Sequence, residues 1–257
     1  MDDPPLPTDP SSAPKPPAKA GRWIALALCG ALCAGAWGVW RGAIDVPPRF
    51  NPWAPLDVRA PPDWLTGFKL MRARRDPARC MAALAQTGMQ FDAVPDRVTG
   101  PGCGFENAVR LRAAPVRFGA PLALSCPMAL SFFLWERHAL QPAAQAHYGQ
   151  RVTGIEHLGS YACRNINRGT TADSGSRSRH ATADALDIAA LTLADGRRIS
   201  VVNDWRDGDD ASAPAAQLLR DAHRGGCRWF SGALGPDYNA VHRDHFHFET
   251  GGFGLCR

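Results

Sequence analysis

Asp187 stands inside Ala185–Leu193 (ALDIAALTL), an otherwise apolar run, and this one carboxylate restricts the fold more than any other residue. An ionised carboxyl among alkyl side chains is costly to bury unless a cation or a set of donors meets it. The run is short and leads into Asp195-Gly196, a hairpin turn pair, so it reads as a buried strand with a return strand over Ile199–Trp205. Whatever neutralises Asp187 has to reach it inside a sheet.

The segment Arg243-Asp244-His245-Phe246-His247-Phe248 offers the partner. Polar and aromatic side chains alternate there, as in a strand, so His245 and His247 share one face while Phe246 and Phe248 bury the other. His180 lies seven residues before Asp187, just after Asn165–Ser178, a polar Gly/Ser/Thr/Arg-rich stretch that reads as a long loop able to close over a ligand. If the strands of Asp187 and His247 run antiparallel side by side, then His180, Asp187 and His247 converge on one tetrahedral metal ion. Three protein ligands and a position left for water describe a catalytic zinc site. Singly, an HxH is more often two surface histidines, and a strand Asp can pair with arginine; the combination carries the reading.

Of the eight cysteines, Cys29 and Cys33 fall in the uncharged apolar run Trp23–Trp40. The others are Cys80, Cys103, Cys126, Cys163, Cys227 and Cys256. An even set without CxxC spacing argues for disulfides in an oxidising compartment and against a redox protein. Pairing of sequence neighbours is the simplest expectation: Cys80 with Cys103, Cys126 with Cys163, Cys227 with Cys256. The apolar run, flanked by Arg22 and Arg41, suits a membrane-spanning helix with tryptophan at both interfaces; a cleaved signal peptide is the alternative. The expected order is a disordered Pro-rich tail over 1–21, an anchor over 22–41, a Pro-rich linker over 42–63, and a folded domain over 64–257. With the cysteines placing the folded domain outside the cytoplasm, the expectation is a single-pass protein of the inner (cytoplasmic) membrane with its C-terminal domain in the periplasm. Its charge of +5 is mild, and its arginines are scattered, so no nucleic-acid partner is expected.

Inside the domain, Asp76-Pro77 reads as a helix start, with cysteine, methionine and leucine marking one face up to Gly88. Ala108–Leu111 and Val116–Phe118 read as strands, and Ser125 opens a long core helix broken or kinked at Pro142, with His138 and His147 exposed. Strands are expected over Val152–Leu158 and Ser160–Arg164, and a helix over Pro214–Gly225. The fold class is α+β, a small antiparallel sheet carrying the zinc site and flanked by helices.

The stretches SRSRHATADALDIA, ISVVNDW and CRWFSGALGPDYNAVHRDHFHFE resemble the extensin-like C-terminal domain family of bacterial proteins, from about Leu70 to Arg257. Ser178-x-His180 with Ala185-Leu186-Asp187 is similar to the SxHxxGxAxD signature of zinc D,D-peptidases related to D-alanyl-D-alanine carboxypeptidases. His242-x2-His245-x-His247 resembles the HxxHxH segment of penicillin-insensitive murein endopeptidase. The resemblance implies zinc held by His180, Asp187 and His247, with His245 steadying the metal water or oxyanion. Asp244 stands where the carboxypeptidase branch keeps a glutamate base, and Arg164 stands near the position of an arginine that steadies the substrate carbonyl. Ser178 and His242 would support the site. Ala183 replaces the signature glycine, and a side chain there disfavours positive φ. The implied substrate is the peptidoglycan stem peptide; the alternative is a cell-wall binding or structural domain without catalysis.

Overall fold

The computed structural model describes residues 18–167, 175–205, 213–252 and 254–257. The chain divides into two compact units, residues 1–53 and 54–257. In the first, α1 (Ala18–Trp40) has the length and apolarity to cross a bilayer over Gly21–Trp40, with mean hydropathy 1.7. Trp23, Leu26, Leu28, Leu32 and Trp37 are exposed along it, as suits a helix whose solvent is lipid. It can serve as a membrane anchor or as a signal sequence.

The second unit opens with α2 (Thr66–Arg74) and α3 (Pro77–Ala85). Then come β1 (Gln90–Val94), β2 (Arg97–Gly100), β3 (Cys103–Phe105), β4 (Ala108–Ala113), β5 (Arg117–Phe118) and β6 (Leu122–Ser125). Next are α4 (Cys126–Trp135), α5 (Gln141–Tyr148), β7 (Val152–Gly159), β8 (Ala185–Leu193) and β9 (Arg198–Ser200). The chain continues through α6 (Val201–Asp204), α7 (Pro214–Trp229), β10 (Gly232–Leu234), β11 (Phe246–Glu249) and β12 (Leu255–Cys256). Leu56 and Val58, expected in the linker, are buried in the core.

The architecture is mixed α+β. The central sheet has seven strands in the order β12-β10-β11-β8-β7-β5, with β9 also on β8. It is larger than expected and not wholly antiparallel, because β5 runs parallel to β7 and β10 to β12. Parallel pairing requires a crossover, and α4 and α5 supply it between β5 and β7. A second sheet, β1-β4-β6, and the β2-β3 pair complete the strands described.

Local chemistry explains the helices. Asp76 caps α3 by accepting from the Arg79 N–H at 3.1 Å, and Ser125 caps α4 by accepting from the Met128 N–H at 3.2 Å. Pro142 does not break the helix. A π turn over Glu136–Leu140 shifts the backbone pairing, so that the proline falls in the first turn of α5, where a missing N–H is no loss. Helix α7 likewise runs past Gly225 to Trp229. A methyl at 226 would lie 2.6 Å from the Phe248 ring and one at 225 would overlap Ala139, so the two glycines let the helix press onto its neighbours.

Several other expectations give way. The return strand stops at Ser200, whose hydroxyl caps α6 by accepting from the Asn203 N–H at 3.3 Å. Ser160–Arg164 is irregular, because β7 ends at Gly159 with φ 136°. His147 is half-buried with its Nε2 2.8 Å from Asp221, and His138 is half-buried beside Trp229.

The disulfides are Cys80–Cys126, Cys103–Cys163 and Cys227–Cys256. Only the last follows sequence order; Cys80 of α3 meets the first residue of α4 because those helices pack together, which leaves Cys103 for Cys163. Cys80–Cys126 spans a sequence separation of 46. Replacing both with alanine should cost about 4 kcal/mol by loop entropy, read as a lower denaturation midpoint; peptide mapping that recovered Cys80 linked to Cys103 would contradict the pairing.

Candidate metal centre

Strands β8 and β11 pair antiparallel with Asp187 directly opposite His247, so both side chains leave the same face of the sheet. On the other face Phe246 and Phe248 are fully buried, and Phe248 packs on Phe230 and Trp135 at ring distances of 4.6 and 5.1 Å. The alternation expected of the HxH segment thus splits β11 into a core face and a site face.

His180 arrives on a 3-10 turn, Arg179–Thr182, immediately before β8. Ser178 caps this turn by accepting from the His180 N–H at 3.3 Å, and the His180 carbonyl accepts from the Ala162 N–H at 3.1 Å. The turn ends at Ala183 in the left-handed conformation, φ 57° and ψ 24°. Such a backbone costs an L-residue about 1–2 kcal/mol. It is held by the Ala183 N–H donating to His180 and by its carbonyl accepting from the Ser125 N–H at 2.9 Å. The expected obstacle to positive φ is therefore overcome, and His180 is aimed at the sheet.

The three side chains meet. His247 Nδ1 is 2.9 Å from Asp187 Oδ1, His180 Nε2 is 3.1 Å from Asp187 Oδ2, and the two imidazole nitrogens are 3.2 Å apart. Among the described residues this is a group able to hold a metal ion, its ligand atoms all within 4.8 Å of one another. Two imidazoles and a carboxylate bound to one tetrahedral ion with bonds near 2.0–2.1 Å would have donors about 3.3 Å apart, so the set fits.

Charge follows from this packing. Burial works against an ionised Asp187, but hydrogen bonds from His180 and His247 outweigh it and hold the carboxyl well below the usual range. Burial also works against a charged His247; its bonds to Asp187 and to Glu249, whose Oε2 is 3.0 Å from His247 Nε2, prevail and raise its pKa to about 9.

Around this group, His245 Nε2 is 3.7 Å from Asp187 Oδ1, while its Nδ1 is 2.8 Å from the Asp244 carboxylate. The His245 bond is the main influence holding the Asp244 pKa below its ordinary value. Asp244 is thus turned to His245, and His245 faces the group. The His242 ring is 5.3 Å from that of His245 and 5.7 Å from that of His247, and its Nδ1 is 2.7 Å from Asn239 Oδ1. Burial, with His247 and His245 nearby, pushes its pKa down to about 4. Arg164 is exposed, with its guanidinium donating to the neighbouring Asn165 carbonyl at 3.3 Å and its charge reaching His242. Of the Asn165–Ser178 loop, residues 168–174 lie outside the described residues. Glu249 and Asn239 escaped the reading of the sequence; the signal for Glu249 was its i+2 spacing from His247 on the same strand face.

The fold and this site define a disulfide-bonded α+β domain with a buried His-Asp-His group formed by two central strands and the turn before one of them. A family model described as extensin-like protein C-terminus matches residues 78–257, and the chain belongs to that family. No curated protein and no solved structure matches it.

A pH dependence follows for the metal-free protein. His247 has a folded pKa near 9 against about 6.5 unfolded, so its contribution is complete below about pH 6.5 and is lost as pH rises through 9. Melting temperatures in chelator should fall across that window, and the fall should shrink in Asp187→Asn. Equal slopes in the two proteins would contradict the assignment.

Proposed function

We propose that the domain is a zinc-dependent peptidase acting on peptidoglycan stem peptides, as a carboxypeptidase or an endopeptidase. The observation that carries this reading is Asp187 opposite His247 with His180 closing on both, beside a His245 whose free nitrogen faces the same point. The residues that resemble the D,D-peptidase and murein endopeptidase signatures are the ones brought together. His180 Nε2, Asp187 and His247 Nδ1 would hold the ion. Bound zinc would lower the pKa of a coordinated water to about 7 and polarise the scissile carbonyl.

The chain's own groups supply the proton transfers. An Asp244 carboxylate that accepts from His245 Nδ1–H fixes the tautomer, leaving Nε2 as the basic atom. That nitrogen takes a proton from the attacking water and returns it to the leaving amine as the peptide bond breaks. Asp244 therefore acts through His245, and not as the base itself. His242, kept neutral, can donate or accept beside it without adding charge. Arg164, exposed and close enough to bias His242, would meet an acidic or carbonyl group of a substrate.

Location agrees with such a substrate. Disulfides suit an oxidising compartment, and α1 suits an inner-membrane anchor, which would present the domain to the wall in the periplasm. A cell-wall binding domain without catalysis is the second reading, favoured by Asp244: the carboxylate at the base position of related peptidases is engaged by His245.

Full-length protein with purified sacculi separates the two. Muropeptide release should stop on chelation and in His247→Ala, which should also lose zinc. His245→Gln should keep zinc and lose about 10²–10⁴ in rate. Co-sedimentation with sacculi and no release by any form would establish the binding domain instead.

A further inference from the structure

The site face of β11 carries one more functional group. We propose that Glu249 is the positioning residue that fixes His247 with Nδ1 toward the metal, by holding its Nε2–H. The inference rests on the reading that His180, Asp187 and His247 bind an ion.

The geometry is specific. Glu249 Oε2 lies 3.0 Å from His247 Nε2, on the opposite side of the ring from Asp187 and His180, which gather at Nδ1. The two nitrogens of an imidazole point away from each other, so a carboxylate on Nε2 is not a ligand at the Nδ1 site. It can instead select the tautomer, set the ring plane and raise the basicity of the coordinating nitrogen.

The surroundings make room for that carboxylate. Gly232 is the residue opposite Glu249 across β10 and β11, and a methyl there would stand 2.6 Å from Glu249 Cγ and 3.0 Å from Oε1. A methyl at Gly252 would overlap Oε1. Two backbone positions without side chains therefore form the seat in which the Glu249 side chain folds back onto His247. The strand is anchored at this point, since the Glu249 carbonyl accepts from the Ser231 N–H at 2.9 Å. The seat is also tied to the other histidine: Arg179, next to His180, donates to the Gly251 carbonyl, and the Thr250 N–H donates to the Asp184 carbonyl at 2.9 Å. Both imidazoles are thus referenced to one short loop.

Zinc affinity of the full-length protein, measured by competition with a chromophoric chelator, tests this together with the nitrogen-15 spectrum of the zinc-loaded His247 ring. In the unaltered protein His247 should coordinate through Nδ1 and show a protected Nε2–H. Glu249→Ala should bind zinc 10–100-fold more weakly and lose that protection. Glu249→Gln, which keeps an oxygen acceptor, should recover most of both. Gly252→Ala leaves Glu249 in the chain but pushes its carboxylate off the ring, so it should behave like Glu249→Ala; it also serves if the glutamate variant does not fold. Affinity and Nε2–H protection equal to the unaltered protein in both Glu249→Ala and Gly252→Ala would overturn the proposal alone. Failure of the unaltered protein to take up zinc would overturn the metal reading and this proposal with it.

Discussion

A negative charge held out of water between strands is the condition on which the rest of this domain depends. Asp187 could not remain ionised in an apolar strand without the imidazoles that approach it, and those imidazoles could not gather without its charge. His247 is delivered by direct cross-strand pairing and His180 by a turn that forces an alanine into a left-handed backbone. The strain at Ala183 is small beside the desolvation of an unmatched carboxylate, which is why the turn can tolerate it.

The helical layer serves the same end from the opposite face. Phe246 and Phe248 fix β11 against Trp135, Trp205, His223 and Phe230, and α7 comes close enough to do so because Gly226 has no side chain. Trp135 is itself tied to α7 by its indole N–H, which donates to the Ala222 carbonyl at 2.8 Å. The π turn before Pro142 keeps α4 and α5 continuous beneath the sheet. The site therefore sits on a packed platform, with Ser178 capping the His180 turn and the charge of Arg164 reaching His242 beside it.

Much of the centre was legible because strand alternation and one costly carboxylate are local signals. The period-two pattern of residues 245–248 stated which face carried the imidazoles and which the phenylalanines, and β8 begins and ends where the apolar run around Asp187 does. Less legible was anything that depends on what stacks against what. Cys80 and Cys103 are neighbours in sequence, but α3 packs on α4, and so Cys126 takes the bond. Gly225 and Gly226 read as a helix end, although they are points of close contact within a helix. Glu249 passed unnoticed because a lone glutamate at the end of a strand gives no sign that glycines on two neighbouring segments leave space for its side chain.

The division of β11 into two faces has a further consequence for how the chain can fail. Because side chains alternate, a slip of one residue against β8 would turn the imidazoles into the hydrocarbon interior and the two phenylalanine rings onto the polar site face. No intermediate arrangement preserves one function without the other, so a mispaired molecule is at once coreless and unable to chelate. Were an ion held by His180, Asp187 and His247, its uptake and correct strand pairing would report the same event, and the metal would select the properly paired population as it forms.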